Sequence, residues 1–168
     1  MDERIMPIFL RRSVREYSDA PVEERDVLAL LEAGMAAPSA RNLKPWHFIL
    51  IKDRKILHRI TDIHPAAQML NQAPLAIAVC GNRDVSPHFW VQDCAAATEN
   101  ILIAAAMLGL GAVWLGVHPR EERERALKEL LGIPEKFGLL CLISVGVPKA
   151  NPEPRTQFDP SRIHREQW

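Results

Sequence analysis

The chain is poor in the residues that staple a small fold together. Its 168 residues include only three cysteines, Cys80, Cys94 and Cys141, widely separated and with no CxxC pair. An odd, scattered set speaks against a disulfide framework or a thiolate zinc site. Each lies in an apolar run, so each reads as a small buried hydrophobe. The six histidines lack HExxH spacing, and no metal centre is expected. Charge of one sign is missing too, since 21 basic residues balance 21 acidic ones. That balance argues against a broad basic face for nucleic acid, which needs clustered positive charge, and against attraction to anionic lipid. Long hydrophobic runs are absent, because the most apolar stretch, residues 101–117, is broken by Gly109, Gly111 and Gly116. No membrane helix is therefore expected. The opening Met1-Asp2-Glu3-Arg4 is unlike a signal or transit peptide, so the expected address is cytoplasmic.

What is present is an ordinary globular composition, 48% hydrophobic and 25% charged. The length suits one domain over residues 1–168, burying roughly two thirds of its unfolded surface. Periodicity predicts a helix over "DERIMPIFLRR" and another over "VEERDVLALLEAGMAA". The second would place Val27, Leu28, Leu31 and Met35 on one face and stop at Ala37, before Pro38. Strands are expected at 46–52, 75–81, 111–117 and 138–148, with short helical pieces at 54–62 and 65–72. Residues 89–108 predict a helix of about 30 Å that is apolar almost all round; such a helix belongs in a core or at a subunit interface. "PREERERALKELLG" reads as an exposed helix with Glu121–Arg125 and Glu124–Lys128 as i,i+4 pairs and Gly132 as its cap. Residues 149–168 carry Pro152, Pro154 and Pro160 and end on Trp168, an extended tail that lies on something, a second copy of the chain being one candidate. Alternation of helix and strand alone suggests a parallel α/β sheet.

Three segments have candidate chemistry. "LRRSVREY" gathers Arg11, Arg12 and Arg15 around Ser13. In a helix, Arg11 and Arg15 would share a face. If the run instead marks a helix end, the guanidinium forks and the hydroxyl can wrap a phosphate; a solvated patch completing the helix dipole is the plainer alternative. "APSARNLKPWHF" is an irregular loop whose backbone can meet the edge of a planar heterocycle, or simply connect a helix to a strand. Trp46 within it reads as core. "LGLGAVWLGVHP" contains Gly-x-Gly, but Trp114 stands where a third glycine belongs and the order is helix into strand, so the dinucleotide fingerprint is rejected.

Taken in order, "RRSVREY", "APSARNLKPWHF", "WVQDCAAATENILIAAAMLGLGAVWLG" and "VGVP" with its proline-rich basic tail resemble the FMN-dependent nitroreductase family, most of all its short single-domain members. The resemblance implies an α+β fold, a three-layer α/β/α domain around a mostly antiparallel sheet. It also implies an intertwined homodimer with one FMN in each of two interface clefts and the tail 149–168 packed on the partner. Arg11, Arg12, Ser13 and Arg15 would form the first flavin motif, with Arg11 and Ser13 at the phosphate and ribityl end. Arg15 would approach the N1/C2=O edge, where a cation stabilises the reduced ring. Pro38, Ser39, Ala40 and Asn42 would reach the flavin of the other subunit. Val113, Trp114, Leu115 and Gly116 would present backbone to the ring, with an N–H of Leu115 or Gly116 aimed at N5. Arg155 would hold the phosphate, with Gln157 standing where an arginine is common and Lys149 able to assist. The implied activity is an NAD(P)H oxidoreductase in which NADH or NADPH gives a hydride and leaves, and a nitroaromatic, quinone or free flavin then accepts electrons. No catalytic side chain is required. Dehalogenation or flavin fragmentation on the same scaffold, a flavin-binding protein without turnover and a colourless dimeric domain are the alternatives.

Overall fold

Leu75–Asn82 and Phe137–Gly146 are apolar at nearly every position, so both faces of each must be covered. In the computed structural model, which describes residues 1–168, β1 (Trp46–Ile51), β2 (Leu75–Asn82), β3 (Gly111–Gly116) and β4 (Phe137–Gly146) form one sheet. The order is β1-β2-β4-β3, and every neighbouring pair is antiparallel. The parallel sheet suggested by alternation is thus overturned. Its logic fails at one step: β2 and β3 do point the same way, but β4 wedges between them and pairs with both. The mostly antiparallel α+β architecture implied by the resemblance is the one observed.

Alternation along the strands sorts side chains into two helical layers. Leu75, Ile77 and Val79 pack with α2 (Glu24–Met35) and α4 (Trp90–Met107). Ala76, Ala78 and Cys80 pack on the other face with α3 (Arg54–Ile63), the 3-10 turn Pro65–Asn71 and α5 (Glu121–Leu131). β4 has one extra residue, because Val79 faces Cys141 while Cys80 faces Leu139, leaving Leu140 as a bulge.

Three details depart from the periodicity reading. The first helix, α1, covers only Met6–Leu10, after a 3-10 turn at Glu3–Ile5, and Arg11 is already extended. The arginine run therefore marks a helix end, and Arg11 and Arg15 share no helical face. In α2 the buried residues are Val27, Leu30 and Gly34, whereas Leu28 and Met35 are exposed. Gly34 decides that rotation: a Cβ there would sit 2.9 Å from Ile101 Cδ1, so the bare backbone lets α2 press on α4. In α5 the expected i,i+4 pairs do not form. Glu124 instead accepts the Leu139 N–H at 3.0 Å, and Lys128, nearly buried, pairs with Glu135 at 3.1 Å. The pull comes from backbone and charge at the end of the sheet, which outweigh a weak exposed pair. Gly132 caps α5 in the left-handed region, φ 65°, as expected.

Trp90 packs against two strand glycines, Gly81 and Gly138. A Cβ on Gly138 would come within 2.5 Å of the indole. Gly138→Ala is expected to lose about 1–3 kcal/mol of stability by overpacking, measured as a lower urea midpoint at unchanged slope.

Candidate functional site

β3 is an edge strand with β4 on one side only. The Ala112 carbonyl points to the free side, where it accepts the Val14 N–H at 3.0 Å, and Ser13 bridges to Ala112. Backbone groups alternate along a strand, so Trp114 and Gly116 turn theirs to the same open side, while Val113 and Leu115 spend theirs on β4. Of the two N–H groups considered from the sequence, Gly116 is the one left facing outward. The N-terminal segment cannot cover it. After Val14 the chain bends away, and Tyr17 donates from its hydroxyl to the Val14 carbonyl and meets Ser144 Oγ, each at 2.9 Å. A Cβ on Gly116 would meet nothing within 4 Å, so the chain's own packing does not demand glycine there.

Two donors hold the carbonyl of Gly116: His64 Nε2 at 3.0 Å and Arg123 Nη1 at 3.0 Å. The 3-10 turn that begins after His64 leads to a second feature. Gln68, Met69 and Gln72 line a cavity of about 390 Å³ together with Arg15, Glu16 and Lys149. Two cations, one carboxylate and two amides thus face one hollow, whose lining includes the turn that follows His64.

The predicted arginines fan out rather than converge. Arg11 pairs with Glu99 of α4, Nε to Oε1 at 3.2 Å. Burial pushes the Glu99 carboxyl up from its ordinary range, and the Arg11 charge partly offsets this. Arg12 donates to the Glu153 carbonyl at 2.9 Å, and the Arg155 N–H donates to the Phe9 carbonyl at 3.0 Å, so the start of the tail lies on the first segment of its own chain. Arg15 reaches the cavity. Ser13 and Val14 thus lie on the β3 edge and Arg15 lines the hollow, while Arg11, Arg12 and Arg155 are tied to Glu99, Glu153 and Phe9.

Pro38, Ser39, Ala40 and Asn42 lie elsewhere. They lead into β1, the opposite edge strand from β3, so one chain does not bring them to the same site. Their loop is strained, with Arg41 at φ 53°, Asn42 at φ 58° and Lys44 at φ 51°, conformations that cost non-glycine residues about 1–3 kcal/mol each. Internal bonds hold it. The Ala40 N–H donates to Asp93 Oδ1 at 2.8 Å, Ser86 Oγ donates to Asp93 Oδ2 at 3.0 Å, and the Lys44 N–H donates to Ser39 Oγ at 2.9 Å. Asp93 is nearly buried on α4 and pins the loop. Trp46 lies in the core as expected.

His64, Arg123, Gln68 and Gln72 were not found from sequence. They come from two helical segments whose residues have no spacing relation to one another, and only the fold brings them to β3 and Arg15. The cysteines are all buried and free, and burial raises the Cys80 and Cys94 thiols to about 12.

A four-stranded antiparallel sheet between helical layers is an arrangement that this chain shares with solved structures. The model of the nitroreductase family matches residues 8–67 and 64–147. A protein of Archaeoglobus fulgidus, provisionally named NADH dehydrogenase/NAD(P)H nitroreductase, is 49% identical over 174 residues that cover 100% of both chains. A crystal structure under the same provisional name, from Parabacteroides distasonis, superposes with a TM-score of 0.96 at 39% identity, covering 100% of each chain. An FMN-dependent nitroreductase of Clostridium difficile superposes with a TM-score of 0.88 at 28% identity, covering 95% of this chain and 98% of that one. The chain belongs to the nitroreductase family. No helix in it is long and apolar enough to cross a membrane.

The anchoring groups generate two expected outcomes. Asp93→Ala leaves two donors without their charged acceptor and is expected to cost about 1–3 kcal/mol, with faster proteolysis at Arg41 as the local readout. His64 has a lowered proton affinity, first through burial and then through Arg123. An unfolded histidine titrates at about 6.5, so as pH falls the unfolded chain takes up the proton first. The neutral ring thus contributes stability above about pH 6.5 that is lost as pH drops towards the lower folded value. Between about pH 7.5 and about pH 5.5 the wild-type urea midpoint should fall further than that of His64→Gln.

Proposed function

We propose that the chain is an FMN-dependent NAD(P)H oxidoreductase, reducing nitroaromatics, quinones or free flavin, and that it works as a homodimer. The observation that carries this reading is the open rim of β3, where Gly116 turns its N–H outward and its carbonyl is held by His64, the residue that leads into the turn lining a hollow with Arg15, Glu16 and Lys149. The residues fit a flavin mononucleotide. Gly116 lacks a side chain where the chain itself leaves room for one, which suits the approach of a flat ring to the backbone. Arg11, Arg12, Ser13, Arg155 and Lys149 would supply guanidinium, hydroxyl and ammonium donors for a phosphate, with Arg11 and Arg12 turning from Glu99 and Glu153 to meet it. Arg15, Gln68 and Gln72 offer a cation and amides to the polar edge of the ring. Val113 and Leu115 keep the strand rigid from behind, buried in the second helical layer.

Bound there, the flavin would supply two-electron chemistry, taking a hydride from NADH or NADPH and passing electrons to the acceptor. The protein's share is to orient the ring, exclude water from one face and set its potential by nearby charge. This requires no acid–base side chain, and none is assigned.

The dimer reading rests on two features. The loop Pro38–Asn42 and the β3 rim lie at opposite edges of one sheet, so a site built from both takes one from each of two chains. Leu28, Met35, Met107 and Leu108 are also exposed on the two helices of one layer or at their ends, and Phe158, Ile163 and Trp168 are exposed along the tail. A second copy, with residues 149–168 laid on it, would cover such apolar surface.

The test is spectroscopic. Purified with added FMN and freed of excess, the protein should be yellow, bleach with NADH or NADPH without oxygen, and recover its colour on adding a nitroaromatic or quinone. A colourless product overturns the reading. A yellow one that neither cofactor bleaches supports the flavin-binding protein without turnover.

A further inference from the structure

We propose that His64 and Arg123 are positioning residues, a two-donor clamp on the Gly116 carbonyl that fixes the backbone torsions of Gly116 for the flavin. The proposal rests on the reading of the β3 rim as a flavin site. His64 is 2% exposed, and its Nδ1 is buried without a partner while Nε2 lies 3.0 Å from the Gly116 carbonyl. That geometry assigns the proton. With hydrogen on Nε2 the ring donates to a carbonyl; with hydrogen on Nδ1 it would bury an unmet donor and set a lone pair against the carbonyl oxygen. The second donor, Arg123 Nη1, comes from the first turn of α5, and it lies 3.5 Å from His64 Nε2. A charged imidazole would therefore face a guanidinium.

The clamp has a rigid base. The His64 N–H closes the last turn of α3 on the Ile60 carbonyl at 2.9 Å, and Pro65 confines the His64 backbone to extended angles. On the far side of the strand end, the N–H groups of Val117 and His118 both donate to the Leu140 carbonyl at the bulge, at 3.1 and 3.0 Å. Gly116 is thus held at its carbonyl by one layer and just beyond it by β4. Without these bonds a glycine at an open edge would be the loosest point of the strand. The Leu115 carbonyl, spent on β4, turns the Gly116 N–H outward along the rim, and holding the next carbonyl fixes the glycine torsions between the two peptides. A leucine or phenylalanine would fill the space under Gly116 without an orphaned nitrogen, so the polar ring serves the bond rather than the packing.

His64→Phe, His64→Gln and Arg123→Met separate the possibilities. The first removes the donor while keeping a buried ring, and the second restores a donor of similar reach. FMN affinity is read by fluorescence quenching, and the potential of the bound flavin by dye-coupled reduction. His64→Phe should weaken FMN binding about tenfold, as for one lost hydrogen bond. It should also move the potential to more positive values, since a donor fixed at an acceptor nitrogen favours the oxidised ring. His64→Gln should recover most of both, and Arg123→Met should shift both in the direction of His64→Phe. Wild-type affinity and potential in His64→Phe, or no recovery in His64→Gln, overturns the proposal. If His64→Phe does not fold, Arg123→Met is judged by the same criteria. If the wild type takes up no FMN, the functional reading fails, and the clamp is judged on flavin-free protein by the carbonyl ¹³C resonance of Gly116. A shift of that resonance in Arg123→Met supports the clamp, and an unchanged one overturns it.

Discussion

Because β2 and β4 present apolar side chains to both faces, each face of the sheet must be closed by helices, and polar chemistry is left only the rims. Burial at this density leaves no room for unpaired backbone inside. β1 and β3 are the places where donors and acceptors can remain unspent. The two features of functional interest occupy those two rims: the strained loop leads into β1, and the arginine segment, the clamp and the cavity border β3. The separation is a direct result of strand order, since β4 inserted beside β2 pushes β3 to the edge. A parallel sheet with β2 beside β3 would have buried the rim that the proposed site needs.

Each rim is stiffened by a buried polar group reaching across from a helix. Asp93 of α4 secures the loop before β1, and His64 at the end of α3 secures the last residue of β3. These groups are costly to bury, and each is matched by a backbone partner that would otherwise be loose. The arrangement suits a protein that positions a bound group instead of attacking it, because rigidity of the frame is what such a protein contributes. Arg11 adds a tension of another kind. Its guanidinium is already shared with Glu99, so a phosphate arriving at this rim competes with a carboxylate whose charge burial disfavours.

Much of the fold was legible in the sequence. All four strands and the long helix α4 were placed to within two residues, because their apolar runs are bounded by glycine and proline. Strand direction was not, since pattern reports which residues are buried and not which strands touch. The rotation of α2 escaped as well: "LALLEAGM" is apolar on two sides, and only the contact of Gly34 with Ile101 chooses between them. The site was half visible. Arginines clustered beside a serine and a glycine-bounded strand stand out by composition and order. His64, Arg123, Gln68 and Gln72 do not, for they are ordinary residues of ordinary helices until β3 is set beside them.

The cysteines bear on the kind of small molecule this protein can live with. Quinones and the nitroso products of nitro reduction are electrophiles that thiolates attack, and electrons delivered near a disulfide can be lost to it. Cys80, Cys94 and Cys141 are enclosed and held protonated at neutral pH by burial, even Cys141, which lies across the ladder from Gly116. They offer such acceptors neither a nucleophile to alkylate nor a rival destination for electrons. The polypeptide is thereby inert towards the reagents that its proposed chemistry would handle.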